Sequence, residues 1–147
     1  YFTVRISENS QVCDSGFSGE NQMRILEKQG LFVVRINTKR NIVVDGKKRE
    51  LIRWANKLGL PHFTTVTSLD GNGKEIIHSV SYSVKKIVIG RREGYAVIMR
   101  LDDHEACVLF TNERPAVGMG LMDFGKKVIN LYGCRWSVEE FIRFEKQ

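Results

Sequence analysis

The sequence predicts an α/β fold in which strand, helix and strand come first, a β-rich block follows, and helices close the chain. Three observations carry that expectation. Short runs of β-branched and aromatic residues, such as Leu31 to Ile36, are bounded by Gly and turn residues, as strands are. Leu121, Phe124, Gly125, Val128, Leu131 and Tyr132 recur at the i, i+3, i+4, i+7 spacing of one apolar helical face. Between Ile76 and Asn112 almost every segment is strand-like. The length of 147 residues suits one domain, and a 42% hydrophobic content supplies one core. That content argues against disorder as the main state.

In chain order, Tyr1 to Ile6 alternates aromatic or β-branched residues with polar ones and reads as a strand. Gln11 to Cys13 reads as a second short strand, or as the end of one, leading into Asp14. Ser18 fits a helix N-cap and Gly30 the residue just past that helix, with Met23, Ile25 and Leu26 on a partial apolar stripe. Leu31 to Ile36 is then a strong strand. Ile42 to Val44, the dipeptide Asp45-Gly46 and the basic residues after it read as a hairpin, because Asp-Gly fits a type I′ turn. Glu50 to Leu58 fits a short helix closed by Gly59, and Asp70-Gly71-Asn72-Gly73 is a turn cluster. Gly90 to Gly94 and Asp102 to Glu105 break the later strands, so residues 41–112 form a β-rich block. The apolar helical face from Leu121 to Tyr132 stops at Gly133. Ser137 and Glu140 then make the S-x-x-E capping box of a last helix, with Val138, Phe141 and Ile142 on its buried face.

Charge is concentrated. Lys and Arg number 23 against 17 Asp and Glu, a net charge of +6. Residues 31–60 alone account for that excess, through Arg35, Lys39, Arg40, Lys47, Lys48, Arg49, Arg53 and Lys57 against Asp45 and Glu50. Such a segment fits a polyanion partner, most often nucleic acid, and equally fits a solvated surface. A smaller basic group comprises Lys85, Lys86, Arg91, Arg92 and Arg100, opposed by Glu93. The longest apolar runs fall far short of the ~20 residues that span a membrane, and no signal peptide opens the chain. Three widely spaced cysteines, Cys13, Cys107 and Cys134, argue against a disulfide framework and for a reducing, cytoplasmic setting.

Two carboxylates stand out. Asp14 closes a strand before Gly16, a usual place for a metal ligand or catalytic group and equally a place for a turn Asp. Glu139 sits in the first turn of the last helix, where the helix dipole favours an acid whatever its role. At about 100° per residue, Glu139 and Lys146 share a line at the edge of the apolar stripe. His104 and Cys107 lack a second pair at zinc-finger spacing, and neither a P-loop nor a G-x-G-x-x-G occurs.

The segment Tyr132-Gly-Cys-Arg135-Trp-Ser-Val-Glu139, followed six residues later by Lys146, resembles the Y-x2-R-x3-E-x6-K signature of DDE transposases of the bacterial IS4 type. Asp14-Ser15-Gly16-Phe17 is similar to the family's D-x-G-[FY] element around its second catalytic Asp. Phe32-Val33-Val34-Arg35 and Leu109-Phe110-Thr111-Asn112 resemble its F-V-V-R and L-x-T-N strands. The resemblance runs from Asp14 to Lys146.

The resemblance implies a partial RNase H-like core interrupted by a β-rich insertion, then C-terminal helices carrying the catalytic Glu. Residues 1–40 would belong to the core with the second Asp. Residues 41–105 would be the insertion, and residues 106–147 the last core strand and the helices with the Y-R-E-K signature. It further implies DNA cleavage and strand transfer at insertion-sequence ends, with Asp14 and Glu139 as catalytic metal ligands for two Mg²⁺ or Mn²⁺ ions. Hard oxygen donors suit those cations. Tyr132, Arg135 and Lys146 would contact the DNA backbone near the cut end, and Arg35 would lie near the active site. The implied partners are the terminal inverted repeats, target DNA and a second copy in a synaptic dimer, in a bacterial cytoplasm with the protein on the nucleoid when bound to DNA. The family's first Asp lies upstream of its second, whereas residues 1–13 contain no Asp. The chain therefore reads as a C-terminal piece of a larger transposase, inactive alone. An RNase H-like nuclease and a non-enzymatic or degenerate DNA-binding module of the same fold are the competing expectations.

Overall fold

The computed structural model describes residues 3–7, 10–13, 20–36, 40–69, 71–101 and 106–133. Among the described residues, nine strands build one continuous sheet with helices on both faces. In chain order they are β1 (Thr3–Ser7), β2 (Ser10–Cys13), α1 (Glu20–Gln29), β3 (Leu31–Arg35), β4 (Asn41–Val44), β5 (Lys47–Glu50), α2 (Leu51–Lys57), β6 (His62–Leu69), β7 (Glu75–Ile89), β8 (Arg92–Leu101), β9 (Cys107–Thr111) and α3 (Leu121–Gly133). The order across the sheet is β1-β2-β3-β9-β8-β7-β4-β5, and β6 pairs with β7 beside that path. Pairing is antiparallel except between β2 and β3, which run parallel with α1 as their connection. A parallel pair needs such a crossover, since a tight turn cannot reverse the chain twice. The sheet runs without a break from residues near the start of the chain, through the β-rich block, to β9.

Alternation along each strand makes two cores. Phe32, Val34, Ile42, Ile87, Ala96, Ile98 and Phe110 bury one face against Met23 of α1 and Leu51 and Ala55 of α2. Val33, Tyr82, Val84, Val97, Met99 and Leu109 bury the other against Phe124, Val128, Ile129 and Tyr132 of α3. β9 is buried at every position because it lies in mid-sheet with helices above and below.

Local chemistry sets most boundaries where expected. Asp45 (φ 52°) and Gly46 (φ 77°) make the two positive-φ residues of a type I′ turn between β4 and β5. α1 ends at Gln29, and Gly30 N donates to Glu27 O at 3.2 Å. α2 stops because Leu58 turns extended (ψ 136°), with its N–H donated to Ala55 O; Gly59 lies beyond that stop. The break after β7 is narrower than expected. Only Gly90 and Arg91 turn, and Arg92 already pairs with Ile89. β6 is the element that the sequence pattern left unassigned inside the β-rich block, although Thr64, Val66 and their exposed neighbours alternate as a half-buried strand does. The Ser18 cap, the Asp102 to Glu105 break and the helix expected from Ser137 lie outside the described residues.

α3 is anchored by Tyr82, fully buried, whose hydroxyl donates to Met122 O at 2.7 Å. Burial, with the Asp123 charge as a smaller cause, holds the phenol pKa above its usual value. The folded pKa is raised, so the contribution is complete below the unfolded tyrosine value of about 10 and is lost as pH rises through the folded pKa. Thermal unfolding should therefore show the melting temperature falling above pH ~10 more shallowly in Tyr82→Phe than in the parent chain. At neutral pH that variant should lose about 1 kcal/mol for the missing hydrogen bond.

Candidate functional site

The parallel β2–β3 pair defines one end of the sheet. β2 stops at Cys13, whose partner on β3 is Val34; Arg35 is the next residue along β3. The carboxyl ends of two parallel strands therefore meet at Cys13 and Arg35. That is where open α/β sheets hold ligands, because chain and side chains leave the sheet together there. Asp14 follows Cys13 in the sequence and lies outside the described residues, as do Arg135, Glu139 and Lys146.

Arg35 is 6% exposed and shares the α3 face of β3 with Val33, opposite Leu109 of β9. Its Nη1 is out of contact with solvent. The strand direction is held beyond it by Ile36 N donating to Val108 O at 3.0 Å. Tyr132 is 1% exposed and packs in the core beneath α3. Of the expected site residues, the structure thus brings Arg35 and Tyr132 onto one face of the sheet, both inside the protein. The ring of Tyr132 fills apolar space. Among the described residues no group of three His, Cys, Asp or Glu is close enough to hold a metal ion.

The opposite end of β3 is tied down by Thr111 and Asn112, which the L-x-T-N resemblance includes, and by Glu113, which it does not. Phe32 N donates to Asn112 Oδ1 at 2.8 Å, and Asn112 Nδ2 donates to Gly30 O at 3.2 Å. Thr111 Oγ1 donates to Phe32 O at 2.6 Å and accepts Glu113 N at 3.0 Å. Glu113, nearly buried, pairs with Lys127 of α3. The signal for this clamp was present as a polar Thr-Asn-Glu triplet closing an apolar strand. Here L-x-T-N residues hold strands together.

Beside the clamp, Lys86, Gly94, Tyr95, Asn112 and Arg114 line a small cleft of about 210 Å³ with Glu93. Lys86 Nζ and Glu93 Oε1 lie 2.5 Å apart. Their hydrogen bond and mutual charge raise the Lys86 pKa and lower that of Glu93. Both side chains are more than half exposed, so solvent screens the pair and its contribution to stability is small.

The basic segment divides by burial. Arg35 is interior, while Lys47, Lys48 and Arg49 are exposed on β5, the last strand of the sheet, next to exposed Arg53 and Lys57 of α2. Lysines on an edge strand discourage pairing with another chain, and the same charges suit a polyanion. No helix among the described residues is long and apolar enough to cross a membrane.

Fold and site together define an α/β chain with a βαβ crossover, a mostly antiparallel sheet and a basic edge. Neither a scan against protein-family models nor a search of curated proteins finds a match to it.

Proposed function

We propose that this chain is part of the catalytic domain of a DNA transposase of the IS4 type, with an RNase H-like core. The observation that carries the reading is the β2–α1–β3 crossover. Its carboxyl end has Cys13, which Asp14 follows in the sequence, at the end of one strand and Arg35 at the end of the next. The Y-x2-R-x3-E-x6-K spacing from Tyr132 to Lys146 supports the same reading from the other end of the chain.

In this reading Asp14 and Glu139 hold the divalent cations, Mg²⁺ or Mn²⁺, and their oxygen donors are of the right hardness for those ions. Bound there, the ions would activate the attacking hydroxyl and stabilise the leaving oxygen of phosphoryl transfer. Arg135 and Lys146 neutralise backbone phosphates, arginine through a fork that grips two oxygens at once; Arg35, interior on β3, would stand near the active site from within the protein. Tyr132, which the resemblance sets against the DNA backbone, lies in the core and cannot reach it. The substrate would be the inverted repeats at insertion-sequence ends together with target DNA, and a second copy would complete the synaptic complex. Residues 1–13 supply no Asp as a third carboxylate, so strand transfer by this chain alone is not expected.

Calorimetric titration with Mn²⁺ tests the reading without any need for activity. Asp14→Ala and Glu139→Ala should each weaken binding by at least the ~10–100-fold seen when groups supporting a metal ligand are removed. Unchanged affinity would favour a second reading, a non-enzymatic DNA-binding module, which the exposed cations of β5 and α2 support.

A further inference from the structure

At the end of the sheet away from Arg35, the turn between β7 and β8 meets the last turns of α1. Arg24, Glu27, Gly90, Arg91 and Arg92 line an open cleft there of about 500 Å³. Arg92 Nε donates to Glu27 Oε1, and Arg92 Nη2 reaches Glu27 Oε2 at 3.3 Å, so the one carboxylate among the described lining residues is neutralised by a two-point contact. That contact also fastens the turn to α1. Arg24 lies three residues before Glu27, on the same side of the helix. Arg24 and Arg91 are both exposed, and among the described residues no carboxylate pairs with either.

More arginines extend this end. β4 pairs with β7 through Val43 and Val88, and continuing that antiparallel register carries Arg40 to the level of Arg91. Arg49, exposed on β5, pairs with Ile42 one strand further on. The cations are therefore spread over neighbouring strands spaced about 4.8 Å apart. They do not converge on a point. A single small anion would be gripped from one side only in so open a cleft. A chain of phosphates could meet successive guanidinium forks, each matched to two oxygens.

We propose that this arginine-lined end binds the sugar-phosphate backbone of a nucleic acid, at a place separate from the Arg35 end. Arg35 is level with Val97 through Leu109, five residues along β8 from Arg92, or about 17 Å. The proposal needs phosphate recognition alone and does not rest on the metal chemistry above.

Binding of a fluorescent random-sequence duplex, followed by anisotropy in EDTA between about 50 and 200 mM salt, tests it. The double variant Arg24→Ala/Arg91→Ala should bind at least tenfold more weakly at low salt, with the slope of log affinity against log salt reduced by about two. Its thermal midpoint should stay with that of the parent, because both side chains are exposed. Arg24→Lys/Arg91→Lys should recover most of the slope and part of the affinity, since charge returns without the fork. An unchanged slope in the alanine variant overturns the proposal, as does a parent chain that fails to bind the duplex. Inorganic phosphate perturbing the Arg24 and Arg91 resonances while the duplex ignores both substitutions also overturns it, and identifies a small-anion site instead. Mn²⁺ titration of the parent chain is read separately, so failure here is distinguishable from failure of the metal reading.

Discussion

Phe110→Ala is expected to cost about 3–5 kcal/mol, a large part of the 5–15 kcal/mol that holds a typical domain together. Phe110 is fully buried in β9, at mid-sheet, on the face that α1 and α2 cover. Its ring lies 6.2 Å from that of Phe32, centroid to centroid. Its core neighbours include strand residues such as Phe32, whose backbones are held by pairing on both sides of β9. Little relaxation is available, so the cavity term adds to the lost transfer energy. Urea unfolding should show the midpoint falling with an unchanged slope, the mark of altered stability without altered compactness. A loss below about 1 kcal/mol would mean that this core is far looser than its burial indicates.

Gly94→Ala should be nearly as damaging although it adds only one methyl. A Cβ at Gly94 would come within 2.6 Å of Phe110 Cζ and within 2.6 Å of Thr111 O. The ring could swing aside. The carbonyl belongs to the β9 backbone and cannot do so without breaking its pairing with β8. A cost at or above the ~1–3 kcal/mol of ordinary overpacking is expected. The two substitutions should also be coupled. In a Phe110→Ala background the contact with the ring disappears and the contact with Thr111 O remains, so the alanine at 94 should cost less there but still destabilise. A double-mutant cycle read by urea unfolding should return a coupling of about 0.5–3 kcal/mol. Strict additivity would show that the ring is not what the new methyl meets.

These positions illustrate what could be read from sequence. Gly94 looked like a break in a strand, the usual reading of a lone glycine among β-branched residues. It lies inside β8 because β9 approaches it too closely for a side chain, a fact about a residue sixteen positions away. The Asp45-Gly46 hairpin needed no such knowledge, since both positive φ values follow from the residues themselves. α3 was equally legible from its apolar spacing, although Leu121 at its start proves 47% exposed and Ile129 joins the core. β6 was missed because threonine alternation is a weak signal without its partner, and its partner is half of β7.

For the site the division is sharper. The residue types and spacings that point to phosphate chemistry are a property of the sequence, as is the excess of cations in residues 31–60. Exposure is not. Arg35 is buried where Lys47, Lys48 and Arg49 are exposed, because β3 is covered on both faces and β5 ends the sheet. The arginine end was invisible for a related reason. Arg24, Arg40 and Arg91 are remote in the chain and share a region only through the β4–β7 register and the Arg92–Glu27 contact. By itself the sequence determined the turns, the helical faces and most strands of this protein, since those depend on neighbours within a few residues. The tertiary structure alone decided which strands pair, which charges reach solvent and which arginines stand together, because those depend on contacts across dozens of residues.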